Sequence, residues 1–203
     1  MPSSASNPNK AAAFAAVVTL LLSACAELPA PPQTPASPNH FVSAEYIGAF
    51  RLTGRIAVKH EGQGFSGTLR WEHAARRDDV LLQSPLGQGV ARIVRDATGV
   101  TLTDADDKVY RAATVEALTR EVLGWQLPLD GLEHWVLGRA APESASRRTV
   151  GDDGRMTRLI QDGWQVDFER YQPVQGAMLP GRLEAAYGND MAVRLVIDRW
   201  VLE

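Results

Sequence analysis

An alternation of apolar and polar residues at period two is what most constrains this chain. Over residues 51–59, Leu52, Gly54, Ile56 and Val58 fall on one side and Arg51, Thr53, Arg55 and Lys59 on the other. Residues 68–73 repeat the pattern, with Leu69 and Trp71 opposed by Thr68, Arg70 and Glu72. Successive side chains of a strand point to opposite faces, so each segment needs one apolar surface to cover and one to leave wet. Further strands are predicted at 80–83, 89–95, 100–103, 108–111, 156–161, 164–170, 182–187 and 191–202. Asp162-Gly163 is a two-residue hairpin signal, and Gly188-Asn189-Asp190 turns the chain between the last two strands. Two helices interrupt the meander. Thr114 caps one that ends near Gly124, and Asp130 caps another that stops at Gly138. A third helix is expected at 44–50. About ten antiparallel strands with a few helices predict a mainly β fold with helices (α+β), a curved sheet whose concave face the helices cover.

The first two dozen residues have a different character. Lys10 is the only charge before an apolar run over 11–22 that is short for a bilayer span. Leu22-Ser23-Ala24-Cys25 follows directly and matches the bacterial lipobox, in which small residues precede a cysteine that is acylated and becomes the new N-terminus. Cys25 is the chain's single cysteine, so the domain must fold without an internal disulfide. Several acyl chains, at about 0.8 kcal/mol per buried methylene, give a stable anchor where one short chain would not. The next stretch carries Pro29, Pro31, Pro32, Pro35 and Pro38 and should behave as a semi-extended tether. The expected organisation is therefore a signal peptide over 1–24, an acylated cysteine and tether over 25–40, and one folded domain over 41–203.

Without Lys10 the chain has 20 Lys+Arg against 24 Asp+Glu, a net charge of −4. The charges form no run. Nucleic acid is not an expected partner, and no polybasic segment marks an anionic-lipid site.

Chemistry-bearing patterns are sparse. Gly62-Gln63-Gly64-Phe65-Ser66-Gly67 has the letters of a dinucleotide fingerprint, but a strand pattern follows it rather than a helix, and a hairpin loop is expected instead. His40, His60, His73 and His134 lack ligand spacing, and Glu133-His134 reads as a solvated helix face. Asp104, Asp106 and Asp107 lack the glycine and glutamate of a calcium loop. No metal, cofactor or catalytic residue is expected, and an enzyme is not. The segment that stands out is Ser84-Pro85-Leu86-Gly87-Gln88-Gly89, a loop between strands with a large aliphatic residue at its tip.

An ordered set of motifs carries a resemblance. Phe50-x-x-x-Gly54-Arg55-Ile56-Ala57, Ser66-Gly67-x-Leu69-x-Trp71, Leu81-Leu82-x-Ser84-Pro85-Leu86-Gly87 and Leu123-Gly124-Trp125-x-Leu127-Pro128-Leu129 come first. Leu132-x-x-Trp135-x-x-Gly138, Gly163-Trp164-x-Val166, Leu179-Pro180 and Val196-Ile197-Asp198-x-Trp200 follow. In this order they resemble the LolB family of outer-membrane lipoprotein receptors, whose fold is shared by the periplasmic carrier LolA. The resemblance implies a half-open antiparallel barrel of ten or eleven strands with about three covering helices, enclosing an apolar cavity for acyl chains. It implies a lipid-anchored monomer on the periplasmic side of the outer membrane. Its partners would be a LolA-like carrier, lipoprotein cargo and outer-membrane lipid. Leu86 matches the leucine of the family's membrane-insertion loop, and Ala26 after Cys25 fits export rather than inner-membrane retention. Cavity candidates are Leu69, Trp71, Leu82, Ile93 and Leu102 from strands and Trp125, Leu129 and Trp135 from the helical cover. The alternative is that these residues fill a solid core and that the lipoprotein docks a protein partner.

Overall fold

Ile56 and Val58 on the first strand and Leu195 and Val193 on the last face the same core across a shared ladder, and this pairing makes one sheet of the chain's two halves. The structure, a computed structural model, describes residues 46–203. The strands are β1 (Phe50–His60), β2 (Gln63–Ala74), β3 (Arg77–Gln83), β4 (Gly89–Asp96), β5 (Gly99–Asp104), β6 (Val109–Ala112), β7 (Ser146–Val150), β8 (Met156–Gln161), β9 (Trp164–Val174), β10 (Ala177–Tyr187) and β11 (Met191–Leu202). They pair antiparallel in the order β6-β5-β4-β3-β2-β1-β11-β10-β9-β8-β7, an open sheet with β6 and β7 as its edges. Between those edges in sequence lie the helices α1 (Val115–Leu123) and α2 (Leu129–Trp135).

The alternating pattern places the core as expected. On β1 the residues Phe50, Leu52, Ile56 and Val58 are buried, whereas Arg51, Arg55 and Lys59 are exposed. Phe50 packs edge-on against Trp71 and Trp200, with ring centroids 5.1 and 5.4 Å apart, which ties β1 to both neighbours. Asp162 and Gly163 both have positive φ, 51° and 80°, the backbone of a type I′ turn whose twist suits the flanking strands.

Four expectations need correction. Residues 46–49 hold only one helical-type turn residue, at Tyr46, and Phe50 already pairs with Leu202 and His73, so no third helix fills 44–50 among the described residues. The β-pairing partners win that segment. The second helix starts at Leu129 with Pro128 as its N-cap, and Asp130 lies inside its first turn. The capping acceptor comes from α1 instead, since Glu116 Oε1 accepts the Leu129 N–H at 3.1 Å. The glycine-rich segment is not a loop beyond Glu61-Gly62, because Gln63 already opens β2. Finally, β7 was not expected. Cys25, the signal segment and the tether lie outside the described residues.

Candidate functional site

The loop between β3 and β4 is held by its own backbone and by the Gln83 side chain. Ser84 N–H donates to Gln88 O at 2.8 Å, Gly87 N–H to Ser84 O at 2.9 Å, and Gln83 Nε2 to Gly87 O at 3.0 Å. None of these bonds uses the Leu86 side chain, which is 88% exposed. At the root of the loop β2 approaches β3 so closely that a Cβ on Gly67 would lie 2.0 Å from Gln83 O. Only glycine fits there.

The two residues flanking the loop, Leu82 and Val90, line a cleft of about 210 Å³ together with Val58, Phe65, Leu123 and Trp125. Phe65 and Trp125 stack across it with centroids 6.2 Å apart and planes 20° from parallel. His60, Glu61 and Gln63 give it a polar side. The loop that carries the exposed leucine therefore springs from two residues that line an apolar opening between the sheet and the end of α1.

Of the eight cavity candidates, Leu82 and Trp125 line this cleft. Leu69, Trp71, Ile93, Leu102, Leu129 and Trp135 are buried in one continuous core. The cleft falls short of the roughly 300–1,000 Å³ of a typical ligand pocket. In this conformation the inner face is largely filled by its own side chains.

A charged cluster holds α2 to the sheet. Asp78, 2% exposed, accepts hydrogen bonds at Oδ1 from Trp71 Nε1, at 2.8 Å, and shares a 2.8 Å hydrogen bond there with His73 Nδ1. Its Oδ2 accepts from Arg95 Nε and Nη2 at 2.8 and 2.6 Å, and Arg95 also bonds Asp130 and Glu133 of α2. Burial pushes the Asp78 carboxyl up, but the bonds from His73 and Trp71 and the nearby Arg95 charge outweigh it and hold the group below the usual range. Glu133 is likewise held low, burial being outweighed by His134 and Arg95. Glu133 is thus turned inward, not onto the solvated face that the sequence suggested. His73, Asp78 and Glu133 bring ligand atoms within 4.8 Å of one another, a grouping invisible in the sequence spacing. The Arg95 guanidinium bonds both carboxylates of this set, so a cation already satisfies them.

Comparison with known proteins decides the family. The model of the LolB family, described as outer membrane lipoprotein LolB, matches residues 48–200. The chain belongs to the LolB family. The outer-membrane lipoprotein LolB of Nitrosomonas europaea is 44% identical over 153 residues, covering 74% of this chain and 72% of that protein. The LolB of Thiobacillus denitrificans is 41% identical over 179 residues, covering 88% and 91%. Among solved structures, a LolA superfamily protein from Nitrosomonas europaea aligns with a TM-score of 0.50 at 11% identity, covering 79% of this chain and 90% of that one. That likeness concerns the fold, the open antiparallel sheet that LolB and LolA proteins share.

Proposed function

We propose that this LolB-family chain is the receptor that accepts lipoproteins from a LolA-like periplasmic carrier and inserts them into the inner leaflet of the outer membrane. The observation that carries the reading is Leu86, fully presented to solvent on a loop whose two roots line the apolar cleft. Acyl chains leaving the inner face at that opening emerge beside the residue suited to enter a bilayer. The division into a signal peptide over 1–24, a Cys25-anchored tether to residue 40 and a receptor domain over 41–203 fits this role. The chain works as a monomer and not as an enzyme.

The physics of handover needs no fuel. An acyl chain crossing water bare would expose methylenes at about 0.8 kcal/mol each. Passing between two apolar interiors avoids most of that cost, and an affinity difference of about 1.4 kcal/mol gives a tenfold bias toward the receptor. On this reading loading moves α1 and α2 away from the inner face, because the cleft is small, and opens Leu69, Trp71, Ile93, Leu102, Leu129 and Trp135 to the acyl chains alongside Leu82 and Trp125.

A second reading has support in the close packing of those same six residues, which suits a solid barrel that docks a protein partner. The acylated protein in nanodiscs separates the two. A receptor takes a lipoprotein from its carrier without added nucleotide and binds an environment-sensitive apolar dye that cargo displaces. Absence of both transfer and dye binding would leave the docking lipoprotein as the better account.

A further inference from the structure

The sequence shows no run of basic residues, yet the fold gathers them. On the outer face of the three central strands, β2, β1 and β11, stand Arg51, Arg55, Lys59, Arg70, Arg194 and Arg199, against Glu72 and Asp198 on the same strands and the adjoining Glu184 and Glu203, which pair with Arg194 and Arg51. Strand alternation does the sorting, since every one of these cations falls on the wet side of its strand. Lys59, Arg70 and Arg199 form no ion pair among the described residues. A chain of net negative charge thus carries a locally basic sheet face.

Within this face lies a groove of about 410 Å³ lined by Arg55, Ala57, Ser66, Thr68, Arg194 and Val196, with Pro85 of the Leu86 loop as a wall. Arg55 is fixed by Asp198, at 3.2 Å from Nε and 2.9 Å from Nη2. Arg194 is fixed by Glu184, at 2.8 Å from Nε and 2.7 Å from Nη2. A guanidinium has five N–H donors, so each keeps about three for another acceptor. The Ser66 and Thr68 hydroxyls add two donors, while Ala57 and Val196 supply apolar floor. Guanidinium and hydroxyl donors around a mainly apolar floor suit a phosphate on a greasy stem.

We propose that this outer groove binds the phosphate headgroup of a membrane phospholipid, so that the β2-β1-β11 face lies against the bilayer while Leu86 is inserted. The occupant follows from the unpaired cations on the surrounding face, Lys59, Arg70 and Arg199, from the free donors that Arg55 and Arg194 keep beside their carboxylate partners, and from continuity with the loop. This inference rests on the reading of Leu86 as the membrane-inserting residue. It adds an orientation to it: the groove lies on the opposite side of the sheet from the cleft, and Pro85 and Leu82 connect the two at the loop.

The test uses the acylated protein in nanodiscs of phosphatidylethanolamine mixed with phosphatidylglycerol, with a headgroup nitroxide as quencher. A dye is attached at Thr53→Cys, on the outer face of β1, or at Gln88→Cys, in the loop. Both dyes should be quenched. Arg55→Gln with Arg194→Gln should lower the docked-to-undocked ratio at Thr53 by about fivefold per arginine, and raised salt should do the same. The partners left behind, Asp198 and Glu184, are 48% and 36% exposed as side chains, so folding is retained. Quenching at Gln88 without quenching at Thr53 overturns the groove and leaves the insertion loop standing. Thr53 quenching untouched by the double substitution overturns phosphate recognition by these arginines. Loss of quenching at both sites defeats the Leu86 reading and the groove with it.

Discussion

Asp78 and Arg95 sit directly opposite each other on β3 and β4, both pointing to the inner face, and their side chains meet in two hydrogen bonds of 2.8 and 2.6 Å. Arg95 continues to Asp130 and Glu133, so one guanidinium joins the sheet to α2. The helix that covers the inner face is held there by charge as well as by Trp135 and Leu132.

Removing one member of a buried pair weakens the hold on the other. Asp78→Asn should cost about 1 to 3 kcal/mol at neutral pH, since Arg95 loses its buried counter-charge but keeps Asp130 and Glu133. Because the Asp78 carboxyl is held below its ordinary range, its stabilisation is present above an unfolded pKa near 4 and is lost as pH falls through the folded value. Urea unfolding followed from pH 7 downward should show wild type and variant converging at the acidic end. A gap that stays constant with pH would remove Asp78 ionisation from the account.

Glu116 titrates in the opposite sense. Burial raises its carboxyl, and it accepts the Leu129 N–H that opens α2. A folded pKa above the unfolded one means that stability declines as pH rises between the two. Glu116→Gln keeps an acceptor for Leu129 and removes the charge. The variant should be more stable than wild type at pH 7 and no different below about pH 4. Equal stability at both pH values would show that the charge carries no penalty in place.

The strands were legible because one apolar face per strand leaves a period-two signature, and ten of the eleven lie where that signature is. The missed strand, β7, reads Ser146-Arg147-Arg148-Thr149-Val150 and is exposed throughout. An edge strand with no buried face has no pattern to detect. The Arg95 cluster was overlooked for a related reason. Carrying the period of Val80 and Leu82 back two residues puts Asp78 on the apolar side, and carrying that of Ala91 and Ile93 forward two puts Arg95 there. Opposite charges on the inner faces of adjacent strands were the available signal. The exposure of Leu86 followed from its proline and glycine neighbours, whereas its place beside the cleft depended on long-range packing of Phe65 and Trp125.

The anchor is tested at Cys25. Leu22-Ser23-Ala24-Cys25 at the end of the apolar run predicts a mature N-terminus at the cysteine, acylated and extractable only with detergent. Cys25→Ser should give an unprocessed or unlipidated species in a labelling experiment with radioactive palmitate. Normal incorporation into the variant would rule out the lipobox.

Acceptance and delivery separate at Leu86. Burying a leucine in the bilayer is worth about 1.5 to 3 kcal/mol, too little to anchor a protein but enough to bias a tethered domain toward presenting its cleft to the lipid. Leu86→Glu reverses the sign, because a carboxylate entering the acyl region must lose its hydration. Since the side chain is 88% exposed and the loop is closed by the bonds of Ser84, Gln83 and Gly87, the fold and its unfolding midpoint should be unchanged. The variant should therefore take lipoprotein from the carrier as wild type does, because in the proposed function that step is assigned to the inner face. It should then retain the cargo and fail to release it into liposomes. Pull-down of the protein reads acceptance, and flotation of the liposomes reads delivery in the same sample. If a correctly folded Leu86→Glu protein delivers cargo at the wild-type rate, insertion of this loop is no part of the transfer.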